Sequence, residues 1–136
     1  LYTERLAGEM GAYKDPYSRL GMLSLQVWRA IRLVLDTGIH SKRWTREQSI
    51  AYFKSNSSIS DTDIAREVDR YFNWPGQATS YMVGQLKIAE LRARAEKALG
   101  PRFDIRDFHE AVLSQGSLPL DVLEEQVDRY IAGAGK

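Results

Sequence analysis

Apolar residues recur along this chain at spacings of three and four, with polar residues filling the positions between. Leu6 and Met10 follow Leu1 and Tyr2 in this way, and Glu4, Arg5 and Glu9 lie between them. That is the period of one face of an α-helix. No Ser, Thr, Asp or Asn precedes Leu1 as a cap, and the first residue is not Met, so the chain is expected to begin inside a helix. Gly11 is the expected stop, and Asp15-Pro16 restarts the pattern, with Asp as cap and Pro at the first helical position. Leu20, Leu23, Val27, Ile31 and Leu35 then form one stripe, widened by Trp28 and Val34. The pattern predicts a helix over 16–37, ended by Gly38 as a terminal glycine, with His40 in the loop or a last irregular turn.

Thr45 with Gln48 reads as a capping box opening a third helix, which carries Ile50 and Phe53 and dies at Asn56-Ser57-Ser58. Ser60 with Asp63 opens a fourth, carrying Ile64, Val68, Tyr71 and Phe72. Pro75-Gly76 breaks the chain. A long fifth helix is predicted over 77–99, with Tyr81, Gly84, Ile88, Leu91 and Ala95 on one side, stopped by Gly100-Pro101. A sixth follows Asp104, carries Phe108 and Val112, and ends near Gly116. A seventh begins around Pro119, carries Val122, Leu123, Val127 and Ile131, and is expected to fray at Gly133-Ala134-Gly135. No stretch alternates as a strand would, and no repeat or long linker is visible. The expectation is an all-α protein of about seven helices in a compact bundle, one helical subdomain over 1–136.

Composition changes this picture little. At 136 residues the chain fits one modest core, and 43% hydrophobic with 27% charged residues is an ordinary globular balance. Nineteen Lys plus Arg against 18 Asp plus Glu leave a net charge of +1, which gives nucleic-acid binding no electrostatic start. Lys42-Arg43 with Arg46 is too short a basic cluster to alter that, and reads as a solvated loop and first helical turn. The absence of cysteine removes disulfides, thiolate metal sites and cysteine nucleophiles. No apolar run approaches the length of a membrane span, and no signal peptide is visible. The compartment stays open between cytoplasm and export.

Catalytic groups are few. The two histidines, His40 and His109, are 69 residues apart, and no His pair stands at the helical zinc spacing. There is no Gly-rich phosphate loop and no nucleophile elbow. His109, beside Phe108 and Glu110, reads as a partly exposed structural residue. His40 follows a glycine, with Asp36 four residues earlier, and such a position can aim an imidazole into a cleft. Arg29, Arg32 and Asp36 form a row that is either a surface ion network or the lining of a cavity that orients His40; spacing does not separate the two. Trp74-Pro75-Gly76-Gln77-Ala78 leads directly to Tyr81 and Gly84. Gly84 reads as close helix packing or as room for a substrate backbone beside Tyr81. A tyrosine hydroxyl and a protonated imidazole can both donate to a developing oxyanion, so His40 and Tyr81 are a candidate anion-stabilising pair. No metal ligand set accompanies them here.

At these stretches the chain resembles the C-terminal part of the bacterial domain-of-unknown-function family DUF885. The matching runs include Leu1-Tyr2-Thr3-Glu4-Arg5-Leu6, Asp15-Pro16-Tyr17-Ser18-Arg19-Leu20-Gly21, and Asp36-Thr37-Gly38-Ile39-His40 with Trp44-Thr45. Trp74-Pro75-Gly76-Gln77-Ala78 with Tyr81 and Gly84-Gln85-Leu86-Lys87-Ile88 continues the match, as do Phe108-His109 and Leu118-Pro119-Leu120. The family in turn resembles gluzincin-type zinc metallopeptidases, whose zinc motif and following glutamate would lie before Leu1. The resemblance implies a zinc-dependent peptidase in a longer protein, with zinc bound outside this segment and a peptide as substrate. His40 and Tyr81 would steady the tetrahedral intermediate. Asp36 would orient His40, and Arg29 or Arg32 would bind a substrate carboxylate or support the cleft. The segment alone is expected to be inactive, and an apolar face could drive it to self-associate. The other reading is a helical interaction or scaffold module with no catalytic role.

Overall fold

The computed structural model describes residues 1–133, so Ala134 and Gly135 of the expected frayed end lie outside the described residues. Every regular element among the described residues is helical: α1 (Tyr2–Glu9), α2 (Pro16–Lys42), α3 (Arg46–Asn56), α4 (Asp61–Asn73), α5 (Ser80–Leu99), α6 (Ile105–Leu113) and α7 (Leu120–Gly133). A single 3-10 turn, Gly100–Arg102, joins α5 to α6. The protein is all-α, as the apolar periodicity predicts.

Several starts follow the local chemistry. Asp15 caps α2 by accepting the Ser18 N–H at 2.9 Å, with Pro16 at the first position. Thr45 and Gln48 form the reciprocal box at α3: Thr45 Oγ1 accepts the Gln48 N–H at 3.2 Å, and Gln48 Oε1 accepts the Thr45 N–H at 2.9 Å. Ser60 caps α4 through the Asp63 N–H.

The end of α2 differs from expectation. Gly38 does not stop the helix; it is buried inside it, and α2 continues to Lys42. The stop falls at Arg43, which adopts a left-handed conformation with φ of 58°. Trp44 then turns back and its N–H donates to the Gly38 carbonyl at 3.0 Å. Its indole lies so close that a Cβ at position 38 would stand 2.7 Å from the ring. The glycine serves close packing and does not end the helix. His40 therefore sits in the last helical turn, not in a loop. At α5 the difference is smaller: residues 77–79 form a turn, and the helix opens at Ser80.

The described chain divides into two compact units, Leu1–Val83 and Gly84–Lys136, with α5 crossing the boundary. The core of the first unit is Ile31, Leu35 and Ile39 of α2 with Phe53, Ile64, Val68, Tyr71 and Ala78. Only part of the α2 stripe is buried: Leu20, Leu23 and Val27 are exposed. Length explains this. At 27 residues α2 runs about 40 Å, whereas α3 and α4, with 11 and 13, run about 17 and 20 Å. Two short helices pack on its C-terminal half and cannot cover the rest.

The second unit buries Leu91, Ala95 and Leu99 of α5, Phe108 of α6, and Leu123 and Val127 of α7. Ions join α5 to α7: Lys87 Nζ lies 2.6 Å from Glu124, and Arg94 lies 2.9 Å from Glu124 and 3.3 Å from Asp128.

Candidate functional site

The candidate groups of the first unit gather where the C-terminal half of α2 meets α4 and the Trp74–Tyr81 segment. Arg32, three residues after Arg29 and so on the same face of α2, is only 8% exposed. Its Nη2 donates to Gln77 Oε1 at 3.0 Å. Its guanidinium lies between two aromatic rings, 4.7 Å from the centre of Tyr81 and 5.5 Å from that of Tyr71. Arg29 approaches the same Tyr81 ring at 5.6 Å, and its Nη1 donates to the Leu25 carbonyl at 3.3 Å. Each such contact is worth about 0.5–2 kcal/mol, more where water is excluded. Neither arginine forms an ion pair among the described residues, and the Nε of each is buried without a hydrogen-bond partner.

The sequence pattern did not single out Gln77, Glu67, Arg70 or Tyr71 as site residues, yet they complete this cluster. Arg70 also donates to Gln77 Oε1, at 3.1 Å, and pairs with Glu67 at 2.7 Å. The buried Tyr71 hydroxyl donates to the same carboxylate at 2.7 Å and accepts from Trp28 Nε1 at 3.4 Å. Burial works to raise the Glu67 carboxyl, but the hydrogen bonds from Arg70 and Tyr71 outweigh it and hold the group below its ordinary 4.5. Burial, then the Glu67 carboxylate, pushes the Tyr71 phenol up. The i, i+3 and i, i+4 spacing of Glu67, Arg70 and Tyr71 on α4 was the one available sequence signal.

Asp36 is 4% exposed, and both its oxygens accept the Gly76 N–H, at 3.1 and 2.9 Å. It pins the Pro75-Gly76 turn, where Gly76 takes φ of 81°. His40 Nε2 lies 2.9 Å from the Tyr71 carbonyl. A carbonyl only accepts, so Nε2 carries the proton, and the ring of this exposed residue is held by one nitrogen. The structure thus brings Arg29, Arg32 and Tyr81 together. It ties His40 and Asp36 to backbone groups of the α4 end and the following turn. No hydrogen bond joins His40 to Asp36 or to Tyr81 among the described residues. A Cβ at Gly84 would meet no described atom within 4 Å, so close packing does not account for that glycine.

His109 is half-buried in α6, its ring 5.9 Å from that of Phe108. A groove of about 800 Å³ lies elsewhere in the first unit, lined by Leu20, Leu23, Val27 and Trp28 of α2 and by Ile59. No group of three His, Cys, Asp or Glu side chains among the described residues could hold a metal ion. No helix among them is long and apolar enough to cross a membrane.

Residues 1–127 match the model of a family described as bacterial protein of unknown function, DUF885. The chain belongs to the DUF885 family. Among solved structures it is similar to "the putative lipoprotein from Colwellia psychrerythraea", with a TM-score of 0.95 and 44% sequence identity. The similarity covers 97% of this DUF885 chain and 23% of that protein, so the chain spans about a quarter of its relative's length. No curated protein matches the chain.

Proposed function

We propose that this chain forms one wall of a peptide-hydrolysing cleft in a longer protein, and that His40 and Tyr81 steady the oxyanion formed there. The observation that carries this reading is the seating of Tyr81. Its ring rests on Arg29 and Arg32 of α2, the same helix that presents His40 in its last turn. Tyr81 is 44% exposed, and its ring rests against the two guanidinium groups. His40 is fixed through Nε2 and leaves Nδ1 to accept when neutral or to donate when protonated. Two held donors aimed where negative charge develops are what stabilise such an intermediate. By the resemblance to gluzincin-type peptidases, zinc in the longer protein would supply the activated water. This chain's described residues do not fit a zinc site, and the ligands would have to come from elsewhere in that protein. The relative's description as a lipoprotein favours an exported parent over a cytoplasmic one.

The test is peptide hydrolysis by the longer protein, with and without a chelator. Tyr81→Phe and His40→Ala are each expected to lower kcat/KM by about 10²-fold, with melting temperature and zinc content unchanged for Tyr81→Phe. Unchanged kcat/KM in both variants would defeat the reading.

A non-catalytic helical module is the second reading, and one observation favours it: His40 and Asp36 both spend hydrogen bonds on holding backbone. It predicts that His40→Ala lowers the melting temperature and leaves no activity to lose.

A further inference from the structure

We propose that Gln77 is a positioning residue: its side-chain oxygen sets the Arg32 guanidinium against the ring of Tyr81, and so sets Tyr81. The observation is a convergence on one atom. Gln77 Oε1 accepts from Arg32 Nη2 at 3.0 Å and from Arg70 Nη1 at 3.1 Å, so α2, α4 and the turn that leads into α5 meet at a single oxygen. A carboxamide oxygen carries two lone pairs, and both are used. The amide cannot stand the other way round, because its NH2 would then face two guanidinium groups that only donate. For Arg32 this bond has no substitute. It is the one hydrogen bond that Arg32 makes among the described residues, and its buried Nε–H has no acceptor. Glu67 attracts Arg32 through its charge, but its oxygens already accept from Arg70 and the Tyr71 hydroxyl. Charge alone draws a guanidinium closer without fixing which way its plane faces.

That plane matters to Tyr81. The N–H bonds of a guanidinium lie in its plane, whereas an aromatic ring stacks on its face. A bond at one edge is therefore compatible with a ring on the face, and it limits how the plate can turn. Held by Gln77, the Arg32 guanidinium stays 4.7 Å from the centre of the Tyr81 ring. Released, it is free to swing toward Glu67, and the ring loses a support. Gln77 stands four residues before Tyr81, so the same side chain also ties the approach to α5 onto α2 and α4. Asp36 secures the neighbouring Gly76 N–H, which holds the backbone of this turn and leaves the guanidinium to Gln77.

The effect on geometry is read on this 136-residue chain; the effect on turnover, which rests on the peptidase reading, is read on the longer protein. Gln77→Met keeps the length of the side chain and removes the acceptor. Gln77→Glu keeps an oxygen in place. The Arg32 side-chain NMR signals, identified by their loss in Arg32→Lys, are displaced by the ring currents of Tyr81 and Tyr71. They should move toward the values of a free arginine in Gln77→Met and stay near wild type in Gln77→Glu. In peptide hydrolysis, Gln77→Met should lower kcat by about tenfold, as the loss of one charge-assisted hydrogen bond does, with KM little changed. Gln77→Glu should recover most of that loss, and Gln77→Met should cost nothing further in a Tyr81→Phe background. Unmoved Arg32 signals in Gln77→Met, or free-arginine signals in folded Gln77→Glu, would overturn the proposal. So would a kcat loss that adds in full to that of Tyr81→Phe. A longer protein that hydrolyses no peptide removes the peptidase reading, and the NMR signals then decide the positioning by themselves.

Discussion

Gly38 and Gly84 are both helical glycines, and the same substitution should act on them with opposite sign. Replacing glycine by alanine inside a helix gains up to about 1 kcal/mol from backbone entropy. At Gly84 nothing described opposes that gain, so Gly84→Ala should raise the melting temperature by a few degrees. At Gly38 the new methyl would stand 2.7 Å from two atoms of the Trp44 indole. A rigid bicyclic ring cannot yield as a lysine tip would, and overpacking of this kind costs about 1–3 kcal/mol. The clash wins, and Gly38→Ala should lower the melting temperature. Trp44→Ala in the same chain should recover part of the loss, and thermal denaturation of the two single variants and the double variant measures that coupling. The sequence could not separate these glycines. The atoms that decide at Gly38 belong to a residue six positions away, after a reversal of the chain at Arg43. The Thr45–Gln48 box was legible for the converse reason: its two partners lie within one turn, and their chemistry is complete in the local sequence.

At the scale of elements, α4 shows what periodicity reveals and what it leaves hidden. Its apolar face, Ile64, Val68 and Tyr71, was readable at helical spacing and is the face it buries. That the opposite end of Tyr71 organises a charged cluster was not readable, because Arg32 and Gln77 arrive from other segments. Glu67 is the acid of that cluster, and its carboxyl is held below its ordinary 4.5. A carboxylate whose folded-state value is depressed contributes stability above its unfolded value, and loses that contribution as pH falls through the folded one. Wild-type protein should therefore be more stable than Glu67→Gln at neutral pH. The difference should shrink as pH falls below about 4.5 and vanish once the carboxylate is protonated in both states. Denaturant unfolding of both proteins at neutral pH and near pH 3 checks this. A gap that is constant with pH would mean that Glu67 acts through packing and not through its charge.

At the scale of the molecule, the arrangement of charge matters more than its sum. A net charge of +1 is compatible with a basic face balanced by an acidic one, which composition alone would miss. The structure shows pairing instead. On α1, α3, α4, α5 and α7 cations lie within 4 Å of acids, and Lys87, Arg94, Glu124 and Asp128 link two helices in one network. Most of these pairs are exposed, so each stabilises little and weakens in salt. Their effect on binding is larger than their effect on stability, because a paired lysine or arginine has little unscreened field to offer a polyanion. Several cations stand outside these pairs. Arg29 and Arg32 lie under Tyr81 and are three residues apart on one helix; of the exposed Lys14, Arg19, Lys42, Arg43, Arg66 and Lys97, only Lys42 and Arg43 are adjacent in sequence, too short a run to follow a phosphate backbone. The chain should therefore leave the anisotropy of a short labelled DNA duplex unchanged at physiological salt up to about 100 µM protein, the weak end of non-specific binding. A salt-sensitive binding curve in the micromolar range would show that a basic surface escapes the pairing. The same balance explains why the candidate site was only half visible from the sequence. Arg29, Arg32 and Asp36 could be picked out as a row on one helix, but a row of ions on a helix is most often neutralised by its neighbours. Only the fold shows that here Asp36 turns to Gly76 while the two arginines turn to a tyrosine.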